Sequence, residues 1–115
     1  MNHHYRAPRH LVVVLADTVD LGNVCAVRRR LHAAVRDDDH RPVLVDVQCP
    51  LLTSTALGML FAFQRVLHDE GRPLHLLVRH SLGLRVLQLT GLHAVFHVVA
   101  ELPEPLGNPC VRGWG

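Results

Sequence analysis

Lysine and isoleucine are missing from this 115-residue chain, serine occurs only as Ser54 and Ser81, and aromatic residues make up 4% of it. Each gap closes off a class of chemistry. Without lysine the chain cannot supply a phosphate-binding loop of the Gly-rich, Lys-Ser/Thr type. A receiver domain also needs a late-strand lysine to read its phosphoaspartate, so Asp46, which stands where such an acceptor would be, lacks its reader. Neither serine lies in a Gly-x-Ser-x-Gly elbow, which leaves nucleophilic hydrolysis unsupported. So few rings provide no stacking platform for nucleic acid, and the net charge is only +2. No apolar stretch reaches the about 18 residues that a membrane span requires.

Cysteine is also scarce. Cys25, Cys49 and Cys110 are odd in number and form no Cys-x-x-Cys pair, the pattern of small reduced core residues rather than a disulfide framework or a zinc knuckle. The basic stretch with His3, His4, Arg6, Arg9 and His10 precedes only a five-residue apolar run, too short for a signal peptide. A cytoplasmic location is expected.

What is present is aliphatic. Hydrophobic residues make up 49% of the chain, so its core must be built from Leu, Val and Ala, and the length suits a single domain. All twelve basic residues are arginine, a usage that fits a genome rich in G and C better than selection for phosphate binding.

Hydrophobic periodicity sets out the elements. Residues 1 to 10 are polar and contain Pro8, giving a flexible arm or a short edge strand. Leu11 to Ala16 is a continuous apolar, β-branched run, as in a strand covered on both faces. Asp17 to Asp20 turns the chain. From Leu21 to Arg36, Val24, Val27, Leu31, Ala34 and Val35 recur at helical spacing, with Arg28, Arg29 and Arg30 on the solvent side. Asp37 to Pro42 ends that helix. Val43 to Val47 is a second apolar run, interrupted by Asp46.

Thr55 to His68 is apolar around most of its circumference and should be the most buried helix, with Gly71 as its stop. Leu74 to Val78 reads as a third strand, Ser81 to Thr90 as a short helix, and Val95 to Val99 as a fourth strand. Residues 101 to 115 hold too many prolines and glycines for a regular helix and read as an irregular tail. The alternation predicts an α/β sandwich with a mixed, mostly parallel sheet of four to five strands and three main helices, its domain spanning residues 11 to 100.

Two clusters invite a functional reading. Thr53, Ser54 and Thr55 put three hydroxyls at the start of the central helix, where side-chain oxygens accept hydrogen bonds from the unpaired first-turn amides. The same place suits a phosphorylated hydroxyl. Ten histidines raise a metal hypothesis, and His93 with His97 has the four-residue spacing of one helical face. In a strand, however, that spacing spreads the rings about 13 Å apart, so the expectation is no metal and no cofactor.

These motifs, in this order, resemble the STAS domain family of bacterial anti-sigma factor antagonists. Val43-Leu44-Val45-Asp46-Val47 matches the family's Val-Leu-Asp-Leu-like strand, and Asp17-Thr18-Val19-Asp20 stands at its Gly-Glu-Leu-Asp turn. Thr53-Ser54-Thr55-Ala56-Leu57-Gly58 aligns with the signature Asp-Ser-Ser/Thr-Gly-Leu-Gly, and Leu87-Gln88-Leu89-Thr90-Gly91-Leu92 with a later Leu-x-x-Thr-Gly-Leu. The resemblance implies a non-enzymatic docking protein that binds an anti-sigma factor, a GHKL-type serine kinase, and so releases a sigma factor. It implies Asp20, Thr53, Ser54, Thr55, Ala56, Leu57 and Gly58 as partner-binding residues and Ser54 as the phosphoacceptor. Thr53 and Ala56 stand where the family has Asp and Gly. They leave a second reading, an interaction module without the phosphoswitch in a larger signalling assembly.

Overall fold

The computed structural model describes residues 3 to 7, 9 to 37 and 41 to 99. Five strands form one sheet in the order β1 (His3–Arg6), β2 (Leu11–Leu15), β3 (Val43–Val47), β4 (Leu74–Val78) and β5 (His97–Val99). β1 and β2 form an antiparallel hairpin closed by Ala7 N–H donating to His10 O at 2.8 Å. The remaining pairs are parallel. Between them run α1 (Val24–Arg36), α2 (Ser54–Asp69) and α3 (Ser81–Thr90), the last followed by a single 3-10 turn at Leu92–Ala94.

Because spatial order follows chain order and parallel crossovers are right-handed, all three helices fall on one side of the sheet. Alternation along the strands then divides the core. Leu11, Val13, Leu15, Val43, Val45, Val47, Leu74, Leu76 and Val78 face the helices and meet Val27, Leu31, Leu60, Phe63 and Leu87. Val12, Val14, Leu44 and Leu77 face the other way and bury a second, smaller cluster. Both faces being covered explains why these strands read as unbroken apolar runs.

Glycine punctuates the helices where predicted. Gly71, at φ 72°, ends α2 while Gly71 N–H donates to His68 O at 3.0 Å and Arg72 N–H to Leu67 O at 2.8 Å, a Schellman closure. Gly83 serves a different need: a Cβ there would stand 2.8 Å from Val78 Cγ1, so α3 lies directly on β4.

Several expectations change. Of the two readings of the N-terminal segment, the structure takes the short edge strand, with His3–Arg6 paired on β2. Leu21 to Asn23 form a turn before α1 rather than its first turn, because Asp20 holds them with side-chain hydrogen bonds. Val95 and Phe96 belong to the turn preceding β5. α2 buries more side chains than the other helices, yet Phe61 and Val66 on it are exposed. Cys49 is buried as expected, and burial raises its thiol pKa; Cys25 is exposed, and Cys110 lies outside the described residues, as does the expected tail at 101 to 115. No described helix is long and apolar enough to cross a membrane.

Candidate functional site

The hydroxyl cluster lies at the end of the sheet where the parallel strands finish, and there each oxygen has its own task. Thr53 is the N-cap of α2, extended at φ −76° and ψ 162°, and its Oγ1 accepts from Ala56 N–H at 3.0 Å. The same hydroxyl donates to the carbonyl of Val19, 34 residues earlier. One side chain thus ends the loop after β2 and begins α2.

Behind that link the Asp20 turn is fixed from within. Asp20 Oδ1 accepts from Gly22 N–H at 2.9 Å and Asn23 N–H at 3.1 Å. Asn23 Oδ1 accepts from Asp20 N–H at 2.9 Å, and its Nδ2 donates to Thr18 O at 2.9 Å. Asp20 thus fixes the turn itself, its bonds going to turn amides ahead of α1, whose N-cap is Asn23.

Ser54, the first residue of α2, is exposed, as are Asp20 and Gly58, while Thr55 is partly exposed. A side chain at that position sits beside the unpaired first-turn amides and the positive end of the helix dipole, where an anion is favoured. Ala56 and Leu57 turn the other way, into the core cluster. Of the residues the family resemblance named, these two sit beneath the surface instead of on it, since helical spacing sends them toward Phe63 and the sheet. The Ala56 methyl is buried accordingly.

Three leucines unflagged by sequence reasoning border this end of the sheet: Leu21 at 85% exposure, Leu51 at 46% and Leu82 at 52%. They belong to the loops that follow β2 and β3 and to the start of α3. All three expose apolar surface to water at the end of the sheet that carries the hydroxyl cluster. Leu21 and Leu51 stand just outside regular elements, whereas Leu82 is the second residue of α3.

Asp46 was singled out as a stray acid within an apolar strand. It is buried and bound by both ends of one guanidinium: Arg79 Nε donates to Oδ1 at 2.8 Å and Nη2 to Oδ2 at 2.9 Å. Gln48 Nε2 adds a donor to Oδ2 at 3.1 Å. Arg79 was missed, lying 33 residues away in sequence. This pair is a structural brace, and neither group is free to act on a substrate.

The histidines also regroup. His93 lies in the 3-10 turn and His97 on β5, so no one helix or strand holds both; His97 packs on His75 of the neighbouring strand, with ring centroids 4.4 Å apart, and His10 packs on His75 at 5.6 Å. Among the described residues no group of three His, Cys, Asp or Glu side chains is arranged to hold a metal.

A family model, the STAS domain, matches residues 4 to 104. No curated protein matches the sequence. Among solved structures, the chain is similar to an anti-sigma factor antagonist from Mycobacterium paratuberculosis, with a TM-score of 0.76 at 23% identity over 89% of this chain and 86% of that one. It is also similar to the anti-sigma factor antagonist SpoIIAA in its unphosphorylated form, with a TM-score of 0.62 at 14% identity over 89% and 90% of the two chains. Fold, strand order and the match along most of the sequence agree: the chain belongs to the STAS domain family.

Proposed function

We propose that this protein is an anti-sigma factor antagonist, a non-enzymatic docking protein that binds an anti-sigma factor and so frees a sigma factor. The observation that carries the reading is the Thr53 link, which joins the Asp20 turn and the exposed Ser54 into one surface. Leu21, Leu51 and Leu82 give that surface an apolar border suited to a protein partner. Solved proteins of similar fold carry the name anti-sigma factor antagonist, which supports the same function here.

The finer proposal is that the partner is a GHKL-type serine kinase that phosphorylates Ser54. A phosphoserine adds about −1.5 to −2 charges at pH 7. At the start of α2 the fold tolerates that charge, since the first-turn amides and the helix dipole favour it. Between leucines that must lose their water on docking, the same charge is costly, so the modification would break the complex and spare the fold.

Titration of a cognate anti-sigma factor tests both levels. Wild type and Ser54→Ala are expected to bind alike, Ser54→Asp at least about tenfold more weakly, a loss of roughly 1.4 kcal/mol. Leu21→Glu should abolish binding without lowering the melting temperature. Absence of a complex between two folded proteins refutes the function. Undiminished binding by Ser54→Asp refutes the switch and selects the constitutive module, a reading favoured by the uncharged Thr53 being occupied as a cap.

A further inference from the structure

The second face of the sheet carries an arrangement that docking does not use. His75 on β4 and His97 on β5 are register partners, their rings 4.4 Å apart and inclined at 68°. His10, at the end of the β1–β2 turn, closes on His75 from the other side at 5.6 Å and 62°. Three imidazoles from three parts of the chain thus stand edge to face, and the middle one touches both others.

We propose that His10, His75 and His97 form an acid-sensitive latch, which holds the edge strand β5 on β4 while the rings are neutral and releases it when they are protonated.

The strand they hold is short, with Val98 packed on the helix-side core and Val99 on the second cluster. β5 has three residues and, among the described residues, pairs with β4 alone, through His75–His97, Leu76–Val98 and Leu77–Val99. The first of these three pairs is the histidine contact, so what happens to it bears on a third of the attachment. A neutral imidazole presents an edge to its neighbour's face at little cost, whereas two imidazolium rings at that separation repel.

His75 is the sensitive member. Its Nδ1 is buried and has no hydrogen-bond partner. A neutral ring can leave that nitrogen as an idle acceptor, but protonation turns it into a charged donor with nothing to receive its hydrogen. Among the described residues, none of the groups sharing this face offers that nitrogen an acceptor. Tyr5 on β1 is a neutral phenol near pH 7, Leu44 on β3 and Val99 on β5 are apolar, and Asp46 on β3 is engaged by Arg79 and Gln48. Among the described residues, the titratable groups that act on His75 are His10 and His97 themselves. Burial first, then these two rings, lowers the pKa of His75 from 6.5.

The sign follows from linkage. In the opened strand His75 meets water and titrates near 6.5, while in the closed sheet it resists the proton, so the open form binds more protons at acid pH. The closed state is fully favoured above about pH 6.5 and loses ground as pH falls through that value. At pH 5.5 a freed histidine is about ten parts protonated to one neutral, so opening gains up to about tenfold from His75 alone.

Amide hydrogen exchange resolved by residue, with the full-length protein at pH 7.5 and 5.5, tests the latch. Between the two conditions the protection factors of Val98 and Val99 should fall up to about tenfold relative to those of β2 and β3, and His75→Phe, which keeps a ring in place without its proton, should remove that difference. Protection of β5 that tracks β2 and β3 across the range overturns the proposal, as does an equal fall in His75→Phe. Should that variant fail to fold, the ring nitrogen shifts of wild type decide: a titration midpoint for His75 below that of solvent-exposed His4 supports the latch, and one at or above it overturns the latch.

Discussion

Replacing Thr53 by valine keeps the shape and β-branching of the side chain and removes only the oxygen. The N-cap backbone is extended, a conformation valine adopts freely, and no cavity is created. Two hydrogen bonds disappear. Loss of the cap to Ala56 N–H costs about 1 kcal/mol, within a range of roughly 0.5 to 2. The Val19 carbonyl, part-buried, loses its donor for about 1 kcal/mol more. The sum is about 2 kcal/mol, or roughly 8 °C in melting temperature for a domain of this size. Thr53→Ser retains both bonds and should stay within about 0.5 kcal/mol of wild type. Thr53→Asp, which installs the family residue, keeps the acceptor for Ala56 and gains a favourable charge at the helix start, but sets an oxygen without a hydrogen against Val19 O. It should fall between the two. Urea denaturation with an unchanged m-value provides the measurement. If Thr53→Val unfolds within about 0.5 kcal/mol of wild type, the hydroxyl is not the tie between the two loops.

The brace at Asp46 should respond asymmetrically. The Arg79 side chain is 47% exposed and that of Asp46 only 2%, so removing the acid leaves a cation that water can reach, whereas removing the base strands a buried anion. Arg79→Met is expected to cost about 3 kcal/mol or more and Asp46→Asn roughly half of that, both read from thermal unfolding; equal costs would argue against burial as the cause. Gly83→Ala should cost about 1 to 3 kcal/mol by forcing a methyl against Val78, and the double variant Gly83→Ala with Val78→Ala should recover part of the loss if that contact is responsible.

The parallel strands at Val43–Val47 and Leu74–Val78 were legible to the residue, since an apolar run covered on both faces and bounded by proline or polar residues admits few alternatives. The N-terminal segment was legible only as two alternatives, a flexible arm or a short edge strand, because it is the pairing with β2 that decides between them. At the candidate site the cap itself was visible as a hydroxyl before an apolar helix. What Thr53 does with its proton was not, because the acceptor is a backbone carbonyl 34 residues away. Asp46 likewise announced that a partner must exist without saying which of twelve arginines supplies it. Even the histidine spacing that drew attention, His93 with His97, was misleading: the contacts run across strands, and only the register of β4 against β5 brings His75 and His97 together.

The coincidence of sheet order with sequence order bears on how this protein is made. As the chain leaves a ribosome from its amino end, the β1–β2 hairpin is complete first, and each later strand joins the growing border of what is already there. No segment has to be threaded between strands that have already paired, and no early strand must wait uncovered for a distant mate. Each helix arrives before the strand that follows it, on the side where the next apolar face will need shelter. The sheet can therefore assemble by accretion from one border to the other, the three residues of β5 being the last of the five strands to join.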